Sequence, residues 1–207
     1  MGAPISEVAE RYKLGSGASD PPELAAGIRQ RDPAAIREVV HAFLPQILRA
    51  AAGAGLEGQL AEDVAQSTFL TFLETAHRFE GRSQVRTWLF GILYKKIAEA
   101  RRKAGREQAM EDIDAVFERQ FDANGSWIQP PRPVDAELYA SELQREIEGC
   151  LDTVATKQRM AFVLREVEEL DTKEICKILD VTRTNLGVLL HRARTRLREC
   201  LETQGSR

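Results

Sequence analysis

Apolar residues along this chain recur at helical spacing almost from end to end, and the alternation that marks strands is nearly absent. "PPELAAGIRQRD" sets Leu24, Ala25 and Ile28 on one face. "DPAAIREVVHAFLPQILRAAAGAGL" follows with Ile36, Val39, Val40 and Phe43, Asp32 as N-cap and Pro33 at the first helical position. Pro45 should kink or restart that helix. "AEDVAQSTFLTFLETAHRF" carries Val64, Ser67/Thr68, Leu70/Thr71 and Phe72/Leu73 around a third helix. "SQVRTWLFGILYKKIAEARRK" carries Val85, Trp88, Leu89, Ile92 and Ile97 on a fourth. The pattern then fails until about Asp135: "NGSWIQPPRPVD" holds Asn-Gly and three prolines, which break helices. It resumes in "DAELYASELQREIEGCLDTV", with Leu138, Leu143, Ile147 and Leu151 inward. "TKQRMAFVLREVEEL" continues it, capped by Thr156, with Met160, Val163, Leu164 and Val167 inward.

The last two helices are the best defined. Asp171 and Glu174 have capping-box spacing, so a helix should begin at Thr172 and pack Ile175, Ile178 and Leu179. Asp180 falls in a tight turn where a left-handed residue is needed, and Thr182 caps the final helix. There Leu186, Leu190, Ala193 and Leu197 form a core stripe with Leu189 beside it. Thr184, Val188, His191 and Thr195 lie on the opposite side, flanked by Asn185, Gly187, Arg192 and Arg198. These elements predict an all-α protein of two small helical domains. Residues 21–103 form an N-terminal helical bundle and 136–202 end in a helix-turn-helix. An acidic, proline-containing linker (104–135) joins them, with a disordered N-terminus (1–20) and a tail (203–207).

Charge changes the picture, because a net −3 hides strong segregation. From Arg82 to Arg106 there are eight basic residues against one acid, Glu99. From Glu107 to Glu148 there are eleven acids against Arg119, Arg132 and Arg145. The final helix has five arginines and no acid from Val181 to Arg198. Two basic islands around an acidic stretch suit a polyanion gripped at two places. On the final helix, short polar residues ringed by arginines suit the DNA major groove: short side chains let the helix approach base edges, and arginines reach phosphate or guanine. The first island interleaves Phe79, Trp88, Phe90 and Tyr94 with Arg82, Arg86, Lys95 and Lys96. Stacking rings beside cations suit single-stranded DNA. Core packing explains Leu89, Phe90 and Ile92 equally well. It explains the polar loop from Glu80 to Gln84 less well, and that loop could hold an extruded base.

Other chemistry is thinly represented. Cys150, Cys176 and Cys200 are far apart, which predicts free, packed thiols rather than a disulfide or metal site. No P-loop, H-x-x-H pair or nucleophile motif occurs, so no catalytic residue, metal or cofactor is expected. His41, His77 and His191 are scattered. No apolar run could span a membrane, and Glu7 and Glu10 stand where a signal peptide would be basic and then apolar, which predicts a cytoplasmic protein. Trp127 is unusual for a tether: it either docks on a domain or meets a partner.

In order, these pieces resemble the extracytoplasmic-function sigma factors, the small two-domain promoter-recognition subunits of bacterial RNA polymerase. T-W-L at 87–89 and H-R-A-R-x-R-L-R at 191–198 are the most specific matches. The resemblance implies that Asp63, Gln66, Phe69 and Leu70 meet the clamp helices of the polymerase's largest subunit, and that the chain also contacts the flap region of core polymerase. It implies that Arg82, Ser83, Gln84 and Arg86 take a flipped minus-ten base, and that Trp88, Lys95, Lys96, Arg101 and Arg102 hold the opened strand. Thr184, Asn185, Val188, His191 and Arg192 would face minus-thirty-five bases, with Arg183 and Arg196 nearer phosphate. The linker would thread the polymerase, the protein would join the nucleoid when so bound, and an anti-sigma protein would control it. Gly187 stands where many members have Lys or Arg, and Val188 where Ser is common, so the promoter sequence does not carry over. A one-component or response-regulator activator could share the helix-turn-helix, but it would need strands before residue 103.

Overall fold

The computed structural model describes residues 20–103 and 149–204, with Gly105 and Ile147. All regular structure among them is helical. Helix α1 (Pro22–Gln30) leads through Arg31 and Asp32 into α2 (Pro33–Gly53), where Asp32 accepts the Ala35 amide at 3.2 Å, as expected of an N-cap. Helix α2 does not restart at Pro45. The carbonyl that loses its partner there belongs to exposed His41, while buried Phe43, Ile47 and Ala50 hold both halves in one core. Helix α3 (Gln59–Thr75) runs into a short 3-10 turn, and α4 (Val85–Lys103) begins after the polar loop.

In the second region, α5 (Thr156–Phe162) widens into a π turn over Val163–Val167. Thr156 is not its cap: Ala155 holds that position and Thr156 is the first helical residue. Val167, expected inside, is 47% exposed where the widened turn ends. The helix-turn-helix follows as read. Helix α6 (Thr172–Leu179) carries the full Asp171–Glu174 capping box and ends on left-handed Asp180 (φ 52°). Helix α7 (Arg183–Gln204) starts with Thr182 accepting the Asn185 amide at 3.2 Å.

The two regions are not separate bodies. One hydrophobic cluster runs from Leu24 and Phe43 through Leu89 and Leu93 to Met160, Leu164, Ile175 and Leu190. Helix α6 lies against α4, and α5 packs across the end of α2. Two arginines close the C-terminal end of α2, where carbonyls lack helical partners. Buried Arg101 of α4 donates to the Ala54 carbonyl at 2.7 Å. Arg159 of α5, 1% exposed, donates to the Gly53 carbonyl at 2.5 Å and to Asp152 at 2.6 Å. Gly55 must be glycine here: its φ is +84°, and a Cβ would sit 2.6 Å from the Arg159 guanidinium.

A second, smaller cluster joins Cys150, Leu151 and Val154 to Ala193 and Leu197. Within it Cys150 and Cys200 form a disulfide, against the expectation of free thiols; only Cys176 is free. Fifty residues separate the pair, so spacing gives no hint that the fold brings their Cα atoms to 5.6 Å. The linker (104–135, apart from Gly105), Trp127, Leu138 and Leu143 lie outside the described residues.

Candidate nucleic-acid interface

The outer face of α3 presents Asp63, Gln66 and Leu70, the last 60% exposed, with Leu60 also outward at 40%. Asp63 accepts a hydrogen bond from Gln59 one turn earlier, at 2.9 Å. Phe69 departs from the expectation. It is buried with Ala61, Val64, Ala65 and Phe72, because these spacings form the stripe that faces the core.

The residues expected at the minus-ten element fall into two places. Trp88, Lys95 and Lys96 border an open cleft of about 410 Å³ between α3 and α4, with Thr71, Thr75 and Ile92. Trp88 is half-buried there, stacked on Phe79 at 4.9 Å and edge-on to Phe72 at 5.4 Å. A wedge fixed on two sides keeps its remaining edge in one place, as a stacking platform requires. Arg102 is exposed beyond the cleft, but Arg101, expected beside it, is buried against the end of α2. That cation holds the fold together and is not presented to DNA.

Arg82, Ser83 and Gln84 line a second cleft, of about 480 Å³, and its other wall is α6: Asp171, Lys173, Glu174 and Lys177. Arg82 pairs with neighbouring Glu80, at 2.7 Å and largely in solvent, which contributes little. Arg86 is drawn inward. It donates to the Glu168 carbonyl of the second region and lies over the Phe90 ring at 5.8 Å. Burial lowers its pKa, while the charges of Glu174 and Glu168 work the other way. Thr87 donates to Glu174 at 3.1 Å, and the Val85 amide at the tip of α4 donates to Asp20 at 2.5 Å. Sequence reasoning missed Asp20, Glu168 and Glu174 as partners of this loop. Each lies at least 65 residues away along the chain, so no local pattern reports them.

On α7, Arg183, Thr184, Asn185, Gly187 and Val188 are exposed around buried Leu186, with Val188 at 38%. A Cβ on Gly187 would meet open space, so packing does not require glycine there. His191, Arg192 and Arg196 are half-buried, and Thr195, expected outward, is 1% exposed. The presented surface is therefore the N-terminal third of the helix, the part that enters a major groove in helix-turn-helix proteins. Burial, then Arg194 and Arg192, lower the His191 pKa, which leaves that ring neutral at pH 7.

Comparison with known proteins decides what these surfaces belong to. The family profile "Sigma-70 region 2" matches residues 39–107, and "Sigma-70, region 4" matches 144–197. A Haemophilus influenzae protein named "Probable RNA polymerase sigma factor" is 34% identical over 153 residues, covering 70% of this chain and 78% of the relative. This chain is an extracytoplasmic-function sigma factor. The factor is also 27% identical to the ECF RNA polymerase sigma-E factor of Escherichia coli, over 64% of its length and 69% of that protein's. Its fold is shared with CnrH, solved with the cytosolic domain of CnrY (TM-score 0.63, 19% identity, 87% and 96% of the two chains). It is shared too with RpoE of Bartonella quintana, solved with the anti-sigma factor NepR (TM-score 0.58, 23% identity, 80% and 96%). Like its family, the factor directs RNA polymerase to promoters and assists their opening. The region 2 match takes in most of α2 and all of α3 and α4, and the region 4 match takes in α5, α6 and most of α7.

Proposed function

We propose that this factor works as a dissociable specificity subunit with three separate contact surfaces. Asp63, Gln66 and Leu70 on α3 dock on the polymerase clamp, with Phe69 supporting them from inside. Arg82, Ser83, Gln84 and Arg86 receive a flipped minus-ten base, and Trp88, Lys95, Lys96 and Arg102 hold the strand beyond it. Arg183, Thr184, Asn185 and Val188 read the minus-thirty-five duplex, with His191, Arg192 and Arg196 at its margin. The observation that carries this reading is the division of exposed chemistry. Polar and basic side chains face outward at the start of α7, an aromatic-and-lysine cleft opens on α4, and exposed leucines stand among polar residues on α3. Duplex readout needs the first, strand capture the second and protein docking the third.

The factor performs no bond chemistry and acts in the cytoplasm. None of its described helices is long and apolar enough to cross a membrane. Control by an anti-sigma protein is supported by the two structural neighbours, which were solved with such a partner or with the cytosolic domain of CnrY.

Run-off transcription with purified core polymerase on genomic fragments tests the assignment. Start sites should appear only when the factor is added, and Leu70→Glu should abolish them while leaving the melting curve unchanged. Transcription indifferent to the factor rejects the reading.

A further inference from the structure

Gly187 stands in the second turn of α7, and the fold gives no reason for it. Glycine is the poorest helix former after proline, because its backbone loses the most freedom on being fixed. A glycine kept inside a helix normally answers to crowding or to a left-handed backbone. Neither holds here. A Cβ at Gly187 would meet no atom of the described residues within 4 Å, and its backbone belongs to the continuous helix from Arg183 to Gln204. Gly27 shows the other case, since a Cβ there would come within 2.8 Å of Ala35. The missing side chain of Gly187 therefore answers to a surface outside the fold. Helical spacing puts Gly187 and Val188 in the middle of the presented face, with Arg183 and Thr184 one turn before and His191 one turn after. Val188 is itself unusual on that face: an apolar, β-branched side chain, 38% exposed among polar neighbours.

We propose that Gly187 is the point at which α7 comes closest to promoter DNA, and that this approach lets Val188 pack on a thymine methyl. The inference deepens, and rests on, the reading of α7 as the minus-thirty-five helix. A valine side chain is short and makes no hydrogen bond, so it senses a base edge only where the helix backbone itself lies deep in the groove. Any side chain in place of Gly187 would stand between that backbone and the DNA. The thymine methyl is the apolar feature of a base edge in the major groove, and cytosine lacks it. Arg183, Thr184 and Asn185 supply polar contacts around this point, while Val188 selects by fit.

The test uses holoenzyme, reconstituted from core polymerase and the full-length chain, and a labelled duplex fragment carrying a promoter found by run-off. Replacing each minus-thirty-five thymine in turn by deoxyuridine deletes one methyl and leaves every base-pair hydrogen bond in place. One such replacement should weaken wild-type binding about threefold to fourfold, the worth of one buried methyl, and should not affect Val188→Ala holoenzyme. Gly187→Ala should move in opposite directions in two assays. The free chain should melt about 2–4 °C higher, because the best helix former replaces a helical glycine. The holoenzyme should bind the fragment at least about fivefold more weakly, the lower end of one lost base contact, and no longer sense the deoxyuridine. A Gly187→Ala variant that melts no higher, or whose holoenzyme binds as tightly as wild type, overturns the close approach. A promoter on which no deoxyuridine weakens wild-type binding overturns the thymine contact. Arg183→Ala combined with Asn185→Ala separates the two ideas. If that pair leaves holoenzyme binding unchanged, the reading of α7 itself fails; if it weakens binding and Gly187→Ala does not, the inference alone fails.

Discussion

Breaking the Cys150–Cys200 bond should destabilise region 4 far more than it affects DNA reading. The cross-link closes a loop of 50 residues, and loop-closure entropy assigns about 4 kcal/mol to a loop of that length. That is a large share of the 5–15 kcal/mol that holds a typical domain together. The cluster around it is small, with Leu151, Val154, Ala193 and Leu197 as its buried members, so little packing is available to compensate. Cys200→Ser removes the bond and changes side-chain volume little. Urea unfolding, followed by circular dichroism, should show the oxidised wild type more stable than Cys200→Ser by about 3–4 kcal/mol. Wild type under dithiothreitol should overlay the variant, and the variant should ignore the reductant. Cys200 lies about three turns beyond Val188, so duplex binding well below the melting temperature should be the same for all forms. Equal midpoints with and without reductant would refute the reasoning, as would two extra reactive thiols in the unreduced native protein. In a reducing compartment the bond is open by default, and region 4 then has the lower stability.

Trp88→Ala should lower stability by about 2–4 kcal/mol through loss of the contacts to Phe79 and Phe72, whereas Trp88→Phe should keep most of it. If thermal melting shows Trp88→Ala as stable as wild type, Trp88 is not the wedge described. Arg159→Met should cost more than Asp152→Ala, since it removes both the bond that closes the end of α2 at Gly53 and the ion pair, whereas Asp152→Ala leaves the Gly53 bond in place and should cost about 1–3 kcal/mol. The reverse order in urea unfolding would contradict this. For His191 the sign follows from its lowered pKa. The unfolded chain takes up the proton first as pH falls below about 6.5, so the stability tied to the neutral ring is lost as pH falls through the depressed folded value. Melting at pH 7.5 and 5.5 should show a larger drop for wild type than for His191→Gln, and an NMR titration placing the His191 pKa above 6.5 would rule it out.

Local patterns were legible because they depend on near neighbours. The capping box at Asp171, the turn at Asp180 and the cap at Asp32 each involve residues within a few positions, and all three formed as read. The errors share a different character. Arg101, Phe69 and Thr195 lie on helices whose existence was evident, but helical spacing gives only relative direction. Which way is inward depends on packing from other elements. Arg101 looked like one of a run of surface cations until the open end of α2 needed a donor. The disulfide and the three acidic partners of α4 depend on pairs 50 or more residues apart, for which a single sequence carries no signal.

The exposed and covered surfaces imply an order of events. A surface already presented needs no rearrangement before it binds, whereas a covered one loses affinity in proportion to how seldom it is uncovered. The exposed start of α7 belongs to the first kind, and Arg86 and Thr87 to the second. With the roles proposed for these surfaces, duplex recognition upstream requires no separation of the regions by itself. Separation would uncover Arg86 and the Glu168–Arg49 pair, which join the two regions.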